Sequence, residues 1–241
     1  MRKIMICSGA GLSAESGIST FRDTGGLWEN HKIEEVCDMS TFEANYIKVN
    51  EFYDARRKQL STVEPNSAHL KIAELCAMDG VELLNYTTNV DDLLERAGCK
   101  NVRHIHGYLP EVIHKYGTDE ATIIDVKYGT SQFEDLSLYP VKPNVVFFGE
   151  MAPMYEELYS RLGDLTNNDV LVVVGSSEQV VPFVIHARGM CGFYGTIHFV
   201  NKDERLCRDM EEMYATQSFN MSATEYFKRT NFDVYVEKED E

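Results

Sequence analysis

The 241-residue chain is short of several things. It has 6 Cys, none of them in a C-x-x-C pair, 6 Pro, a single Trp, and 23 Lys and Arg against 39 Asp and Glu, for a formal charge of −16. Cys7, Cys37, Cys76, Cys99, Cys191 and Cys207 are too scattered to pair as structural zinc ligands, so they read as reduced, mostly buried small apolar residues. The deficit of cations repels phosphate backbones and anionic lipid, which disfavours nucleic acid and membranes and suits a lysine-rich protein surface. No apolar run approaches the roughly 20 residues of a spanning helix. The opening MRKIMIC is too short an apolar stretch for a signal peptide and runs into a glycine-rich loop, so it reads as the first strand of a cytoplasmic protein.

What is present suffices for a normal core, with 44% hydrophobic residues and 16 Gly. Strand-like runs recur at 3–7, 81–88, 101–106, 144–149, 170–177 and 196–200, and VLVVVG is apolar throughout, as a strand covered on both faces must be. Helix-like stretches fall between several of them: 67–79 with Ser67 as cap, 91–97, 154–165 and 182–194. This alternation predicts an α/β fold, a doubly wound (Rossmann-like) parallel sheet with a smaller inserted lobe. The large lobe takes about 1–29, 67–107 and 143–236, and the small one about 30–66 and 108–142. In the small lobe Phe42, Tyr46, Val49, Phe52 and Tyr53 recur at helical spacing and predict one buried face.

Chemistry-bearing residues gather at predicted strand ends. Gly9, Gly11 and Ala14 of GAGLSAESGISTFR fit G-x-G-x-x-[GA], which lets main chain approach a pyrophosphate while a helix N-terminus offers free N–H groups. The run continues to Phe21 and Arg22 without the acidic residue of an ordinary dehydrogenase, which disfavours hydride transfer. In YTTNVDDL, Asn89 and Asp91 are two apart and point the same way in extended chain, at the sheet edge where ligands bind, although Asp91 could equally cap the next helix. His106, beside Gly107 at another strand end, titrates near neutrality and suits a general base, while His104, of opposite parity, reads as an ordinary core or surface residue. PNVVFFGE, VGSS and VNKD close further strands with small or polar groups.

In order, these motifs resemble the sirtuin family of NAD-dependent protein lysine deacylases from about residue 5 to 227. GAGxSxxSGIPxFR stands here with Ser19 in place of Pro, and TQNID stands as TTNVD with Thr88 in place of Gln. HG is His106 and Gly107, FGE is Phe148 to Glu150, GTS is Gly175 to Ser177, and N-x-[DE] is Asn201 to Asp203. The resemblance implies that Ala10, Gly11 and Ser13, with Gly9, meet the NAD phosphates. It gives Phe21 and Arg22 to the loop guarding the nicotinamide and ribose, and Asn89 and Asp91 to the nicotinamide pocket. His106 becomes the base for the nicotinamide ribose hydroxyl. Thr88 stands where the family's larger Gln contacts that ribose. Ser176 and Ser177, after Gly175, bind phosphate or ribose, and Asn201 with Asp203 binds the adenosine ribose. The acylated peptide adds as a strand between segments around Gly149 to Met151 and Glu178 to Val181, with Phe148 and Val180 among the substrate residues. The family's zinc ribbon is absent, because 108–142, where it usually carries two Cys pairs, has no Cys.

Tyr53 and Arg56 are three apart and share a helix face. With Ala14 they resemble the Tyr-x-x-Arg helix and small neighbour of the sirtuin branch that removes succinyl and malonyl groups, which implies carboxylate recognition by an Arg fork. Arg57 points about 100° away. An NAD glycohydrolase or ADP-ribosyltransferase would use the same pocket, and a catalytically idle NAD sensor would have no use for His106.

Overall fold

The computed structural model describes residues 2–19, 27–28, 31–130 and 140–235. In chain order the strands are β1 (Arg2–Ser8), the two-residue pair β2 (Leu27–Trp28) and β3 (His31–Lys32), β4 (Val81–Thr87), β5 (Arg103–His104), β6 (Gly107–His114), β7 (Thr122–Asp125), β8 (Val141–Val145), β9 (Val170–Val174), β10 (Thr196–Asn201) and β11 (Gln217–Asn220). The helices are α1 (Ile33–Val36), α2 (Met39–Phe42), α3 (Tyr46–Leu60), α4 (Ser67–Cys76), α5 (Leu93–Arg96), α6 (Tyr155–Gly163), α7 (Phe183–Ile185), α8 (Glu204–Tyr214) and α9 (Ala223–Arg229).

Among the described residues six strands form one parallel sheet in the order β11, β10, β9, β1, β4, β5. Its centre is apolar because both faces are covered, and alternate side chains divide between them. Met5, Cys7, Leu171 and Val173 pack with Leu158 and Leu162 of α6, whereas Ile4, Ile6, Val172 and Val174 pack with Ile72 and Leu75 of α4 and Tyr226 of α9. The chain leaves β1 towards β4 on one side and returns through β9 on the other, so a crevice opens at the carboxyl ends of β1 and β9. No helix among the described residues is long and apolar enough to cross a membrane.

The smaller lobe joins α1 to α3 to a three-stranded antiparallel sheet in the order β7, β6, β8. Its core holds Phe42, Val49, Phe52 and Tyr53, four of the five residues of the expected stripe, with Leu109, Val145 and Phe147. Arg57 is fully buried and ties α3 to this sheet, donating from Nε to Gly129 O at 3.1 Å and from Nη1 to Leu109 O at 3.3 Å, beside Asp54.

Several details differ from the sequence expectation. The 144–149 run is not a parallel strand: β8 pairs antiparallel with β6 and includes Pro143, which an edge strand tolerates because its missing N–H faces no partner. The expected lobe boundary at 142/143 thus falls inside β8. The cap of α4 is Asn66, one residue before Ser67, and it accepts from Ala68 N while His69 returns to Asn66 N. The helix expected at 182–194 is one α-turn followed by a π-turn at 186–190.

Candidate active site

A cavity of about 830 Å³ opens where the ends of β1, β4 and β9 meet α3 and the start of β6. It is lined by Gly9, Ala10, Gly11, Ser13 and Ala14 after β1, by Thr88, Asn89 and Asp91 after β4, by Gly175, Ser176 and Ser177 after β9, and by Asn201 and Asp203 after β10. His106, Phe148, Gly149, Val180 and Arg56 also line it. Phe21 and Arg22 lie outside the described residues. Tyr53 is the one described residue of the expected set that is not in the wall. It is fully buried and stacks on Phe147, whose ring lines the cavity, at 5.7 Å between centroids. Its ring joins the core that Phe52 and Val49 also enter, while Arg56 of the same helix reaches the cavity wall.

The two glycine loops touch through main chain. Gly9 N donates to Val174 O at 3.0 Å and Gly11 N to Gly175 O at 3.1 Å. A Cβ on Gly11 would stand 2.6 Å from the Gly175 Cα, and Gly175 itself has φ of +65°. Any side chain at these positions would wedge the loops apart.

Behind them lies a closed polar network. The Ser13 hydroxyl donates to Asp91 Oδ2 at 2.9 Å and accepts from Asn89 Nδ2 at 3.1 Å. His69 Nε2 stands 3.3 Å from the same oxygen. His69 Nδ1 accepts from Asn66 N at 3.2 Å, so Nε2 carries the proton and donates to Ser13. Burial pushes His69 down to about 4, which keeps it neutral, and pushes Asp91 up to about 6 against the bonds from Ser13 and Leu93 N. Ser13 is therefore spent on holding Asp91 and Asn89. His69 was not anticipated from the sequence, and the N-x-x-H capping spacing is the signal that points to it.

His106 is lowered by burial, with its bond to the Thr88 main chain acting the other way. Its Nε2 stands 3.1 Å from the Tyr155 hydroxyl, which also lines the cavity. Asn201 Nδ2 donates to Ser176 O at 2.6 Å, and its Oδ1 accepts from Asp203 N at 3.0 Å, so the β10 loop fixes the β9 loop. Asp203 also caps α8 through Leu206 N. The Ser176 hydroxyl donates to Glu178, whose other oxygen accepts from Val184 N. On the far side Lys142 is buried 2.9 Å from Glu150 and 3.9 Å from the Phe147 centroid, which pins the loop carrying Phe148 and Gly149.

Residues 9–182 match the profile of the Sir2 family. The chain belongs to that family. An NAD-dependent protein deacylase of Campylobacter jejuni strain RM1221 is 43% identical over 227 residues, 91% of this chain and 92% of the relative. A Helicobacter pylori J99 protein of the same name is 40% identical over 190 residues, 76% of this chain and 75% of its own. Among solved structures, a Sir2 homologue in complex with NAD has a TM-score of 0.78 at 31% identity, covering 97% of this chain and 88% of that one. In the Sir2 frame, all described members of the expected residue set except Tyr53 meet in one cavity.

Proposed function

We propose that this cavity removes acyl groups from protein lysine side chains with NAD as co-substrate, succinyl and malonyl in preference to acetyl, giving nicotinamide and O-acyl-ADP-ribose. The chain is an NAD-dependent protein deacylase of the Sir2 family. The observation that carries the reading is His106, an imidazole that burial keeps towards its neutral form, in the wall of the cavity that Asn89 and Asp91 also line.

The residues present fit the dinucleotide. Bare main chain at Gly9, Ala10 and Gly11 beside Gly175 suits a pyrophosphate, and the volume lies within the roughly 300–1,000 Å³ of cofactor sites. NAD supplies the activated bond to nicotinamide whose cleavage drives the acyl transfer. Ser176, Ser177, Asn201 and Asp203 take the adenosine half. Asn89 and Asp91, oriented by Ser13, take the nicotinamide, next to Thr88. His106 accepts the ribose hydroxyl proton at Nε2 and hands it on when the acyl group moves. The peptide lies along Phe148, Gly149 and Val180, where Phe148 and Val180 are 44% and 52% exposed apolar rim residues. Ala14 leaves room for the acyl chain and Arg56 meets its carboxylate, with Tyr53 supporting the wall through Phe147. The enzyme is read as cytoplasmic and as folding without zinc.

Mass spectrometry of the products from NAD and a succinylated peptide tests this. O-acyl-ADP-ribose is expected. Bare ADP-ribose or a modified protein side chain would instead assign a glycohydrolase or ADP-ribosyltransferase. His106→Ala is expected to lose on the order of a hundred- to ten-thousandfold in turnover while still folding, and wild-type turnover by that variant would remove the base assignment.

A further inference from the structure

His104, which the sequence left as an ordinary residue, sits beneath the loop that carries Asn89. On β5 it stands opposite Thr87 of β4. Its Nδ1 is 2.8 Å from the Asn89 carbonyl oxygen, and its Nε2 is 2.8 Å from Glu95 Oε1 at the start of α5. A peptide carbonyl and a carboxylate only accept, so each ring nitrogen must bring a proton, and a ring with two protons is a cation. The side chain is 10% exposed and the Tyr108 ring of β6 covers it at 4.7 Å.

Asn89 is gripped from three directions. Its N–H donates to Thr87 Oγ1 at 3.0 Å, its carboxamide Nδ2 donates to Ser13 at 3.1 Å, and its carbonyl accepts from His104. We propose that His104 is a positioning residue for deacylation: a buried imidazolium that clamps the Asn89 carbonyl to the Glu95 carboxylate and so fixes where the Asn89 carboxamide stands. This rests on the reading that Asn89 and His106 serve acyl transfer.

The titratable groups facing the ring are Glu95 of α5, Asp91 of the β4–α5 loop and Tyr108 of β6. Burial alone would lower His104, but the bond and charge of Glu95, the Asn89 carbonyl and the Asp91 charge together hold it above the usual histidine value. The clamp is therefore intact at low pH and lost as pH rises through that raised value. Once a proton leaves, a ring nitrogen faces an acceptor and one side of the clamp opens. His106 has the opposite requirement, since it must be unprotonated to act. Two histidines two residues apart thus give the turnover its two limbs, His106 the acid one and His104 the alkaline one.

Imidazole ¹⁵N NMR of the wild-type protein tests the clamp without turnover. Both His104 nitrogens should be protonated at pH 6, with a midpoint above that of an ordinary histidine, and a bare nitrogen at pH 6 would overturn the proposal. Kinetically, His104→Gln should lower kcat roughly tenfold to hundredfold, leave the KM for acyl-peptide within about twofold, and abolish the alkaline limb. His104→Lys should carry that limb to higher pH. An alkaline limb unmoved in both variants would overturn the proposal as well. If His104→Gln fails to fold, the NMR titration and the Lys variant still decide. Wild-type turnover by His106→Ala would instead strike the deacylation reading, and the NMR titration would then decide on the clamp alone.

Discussion

The Ser13 hydroxyl donates to the Asp91 carboxylate across 2.9 Å, and this bond joins the glycine loop after β1 to the loop after β4. Asp91 is largely buried, so its carboxylate depends on the few donors it has, Ser13 and Leu93 N. Removing the hydroxyl in Ser13→Ala should lower stability near neutral pH by about 2 kcal/mol, the usual range for a hydrogen bond to a charged group. It should also lift Asp91 above its value of about 6. Denaturant titration and a carboxyl ¹³C NMR titration of Asp91 check both, and an Asp91 midpoint unmoved in the variant would refute the role given to this bond.

Most of this site was legible because it lies at strand ends, where parallel sheets keep their ligands. Asn89 and Asp91, two apart, do reach the same cavity, as their parity in extended chain required. What was not legible depends on contacts that sequence distance hides. Tyr155 reaches His106 across 49 residues and His69 reaches Ser13 across 56, so no local pattern reports either. Tyr53 shares a helix face with Arg56 by spacing, yet an aromatic ring beside Phe52 and Phe147 gains more by entering the core than by lining a polar wall. The sheet's last strand, Gln217–Asn220, was missed because it is a polar edge strand of four residues with no alternation to read. Helix α8 did carry a signal, Asp203 as cap with Leu206, Cys207 and Met210 at helical spacing.

Glu178 should make the protein less stable as pH rises. Burial pushes its carboxyl up to about 7, despite bonds from Val184 N and Ser176. A raised carboxyl contributes stability that is complete below its unfolded value near 4.5 and is lost as pH climbs through about 7. The span corresponds to roughly 3 kcal/mol. Glu178→Gln keeps an acceptor for Val184 N and removes the charge, so its melting temperature should vary less than the wild type's between pH 5 and 8 and exceed it at pH 8. Identical pH dependence in the two proteins would refute this account.

The small lobe should owe its order to Lys142 and not to a metal. Lys142 is 1% exposed, 2.9 Å from Glu150, and also donates to Val145 O at 2.6 Å. Lys142→Ala leaves the Glu150 carboxylate without that cation and should cost about 3 kcal/mol, read by denaturant midpoint. A chelator should leave the thermal transition of the wild type where it was, because the 108–142 segment has no thiolate pair. A transition that falls on chelation, or stoichiometric zinc in the purified protein, would contradict this.

Tyr155 should tune the base. Its hydroxyl lies 3.1 Å from His106 Nε2, and a phenol donating to that nitrogen favours the neutral imidazole over its protonated form. Tyr155→Phe keeps the ring against Tyr159 and removes only the donor. A neutral hydrogen bond of about 0.5–1.5 kcal/mol corresponds to roughly half to one pH unit, so the acid limb of kcat/KM should move up by that much with plateau activity largely kept. An acid limb that stays in place would separate the phenol from the base.

Arg56 should set acyl choice. It lines the cavity with Gln59 and Leu60 from the following turn, and its guanidinium carbon lies 5.2 Å from the Phe52 ring centroid. Its neighbour Arg57 is spent on main-chain carbonyls and Asp54, so a helix with two adjacent arginines divides them between fold and site. Replacing Arg56 with Met keeps the aliphatic stem and removes the donors. Arg56→Met should cost roughly tenfold to hundredfold in kcat/KM on succinyl-lysine, in line with about 1.5–3 kcal/mol for a charge-assisted bond, while acetyl-lysine turnover stays within a few-fold. Arg57→Met should instead lower the denaturant midpoint and reduce both activities together, because it strips the buried Leu109 carbonyl and the Gly129 carbonyl of their donor. Competition between succinyl- and acetyl-peptides, followed by mass spectrometry, separates the two arginines. Equal loss on both peptides for Arg56→Met would make that residue structural, and a wild-type preference for acetyl-lysine would end the acidic-acyl reading.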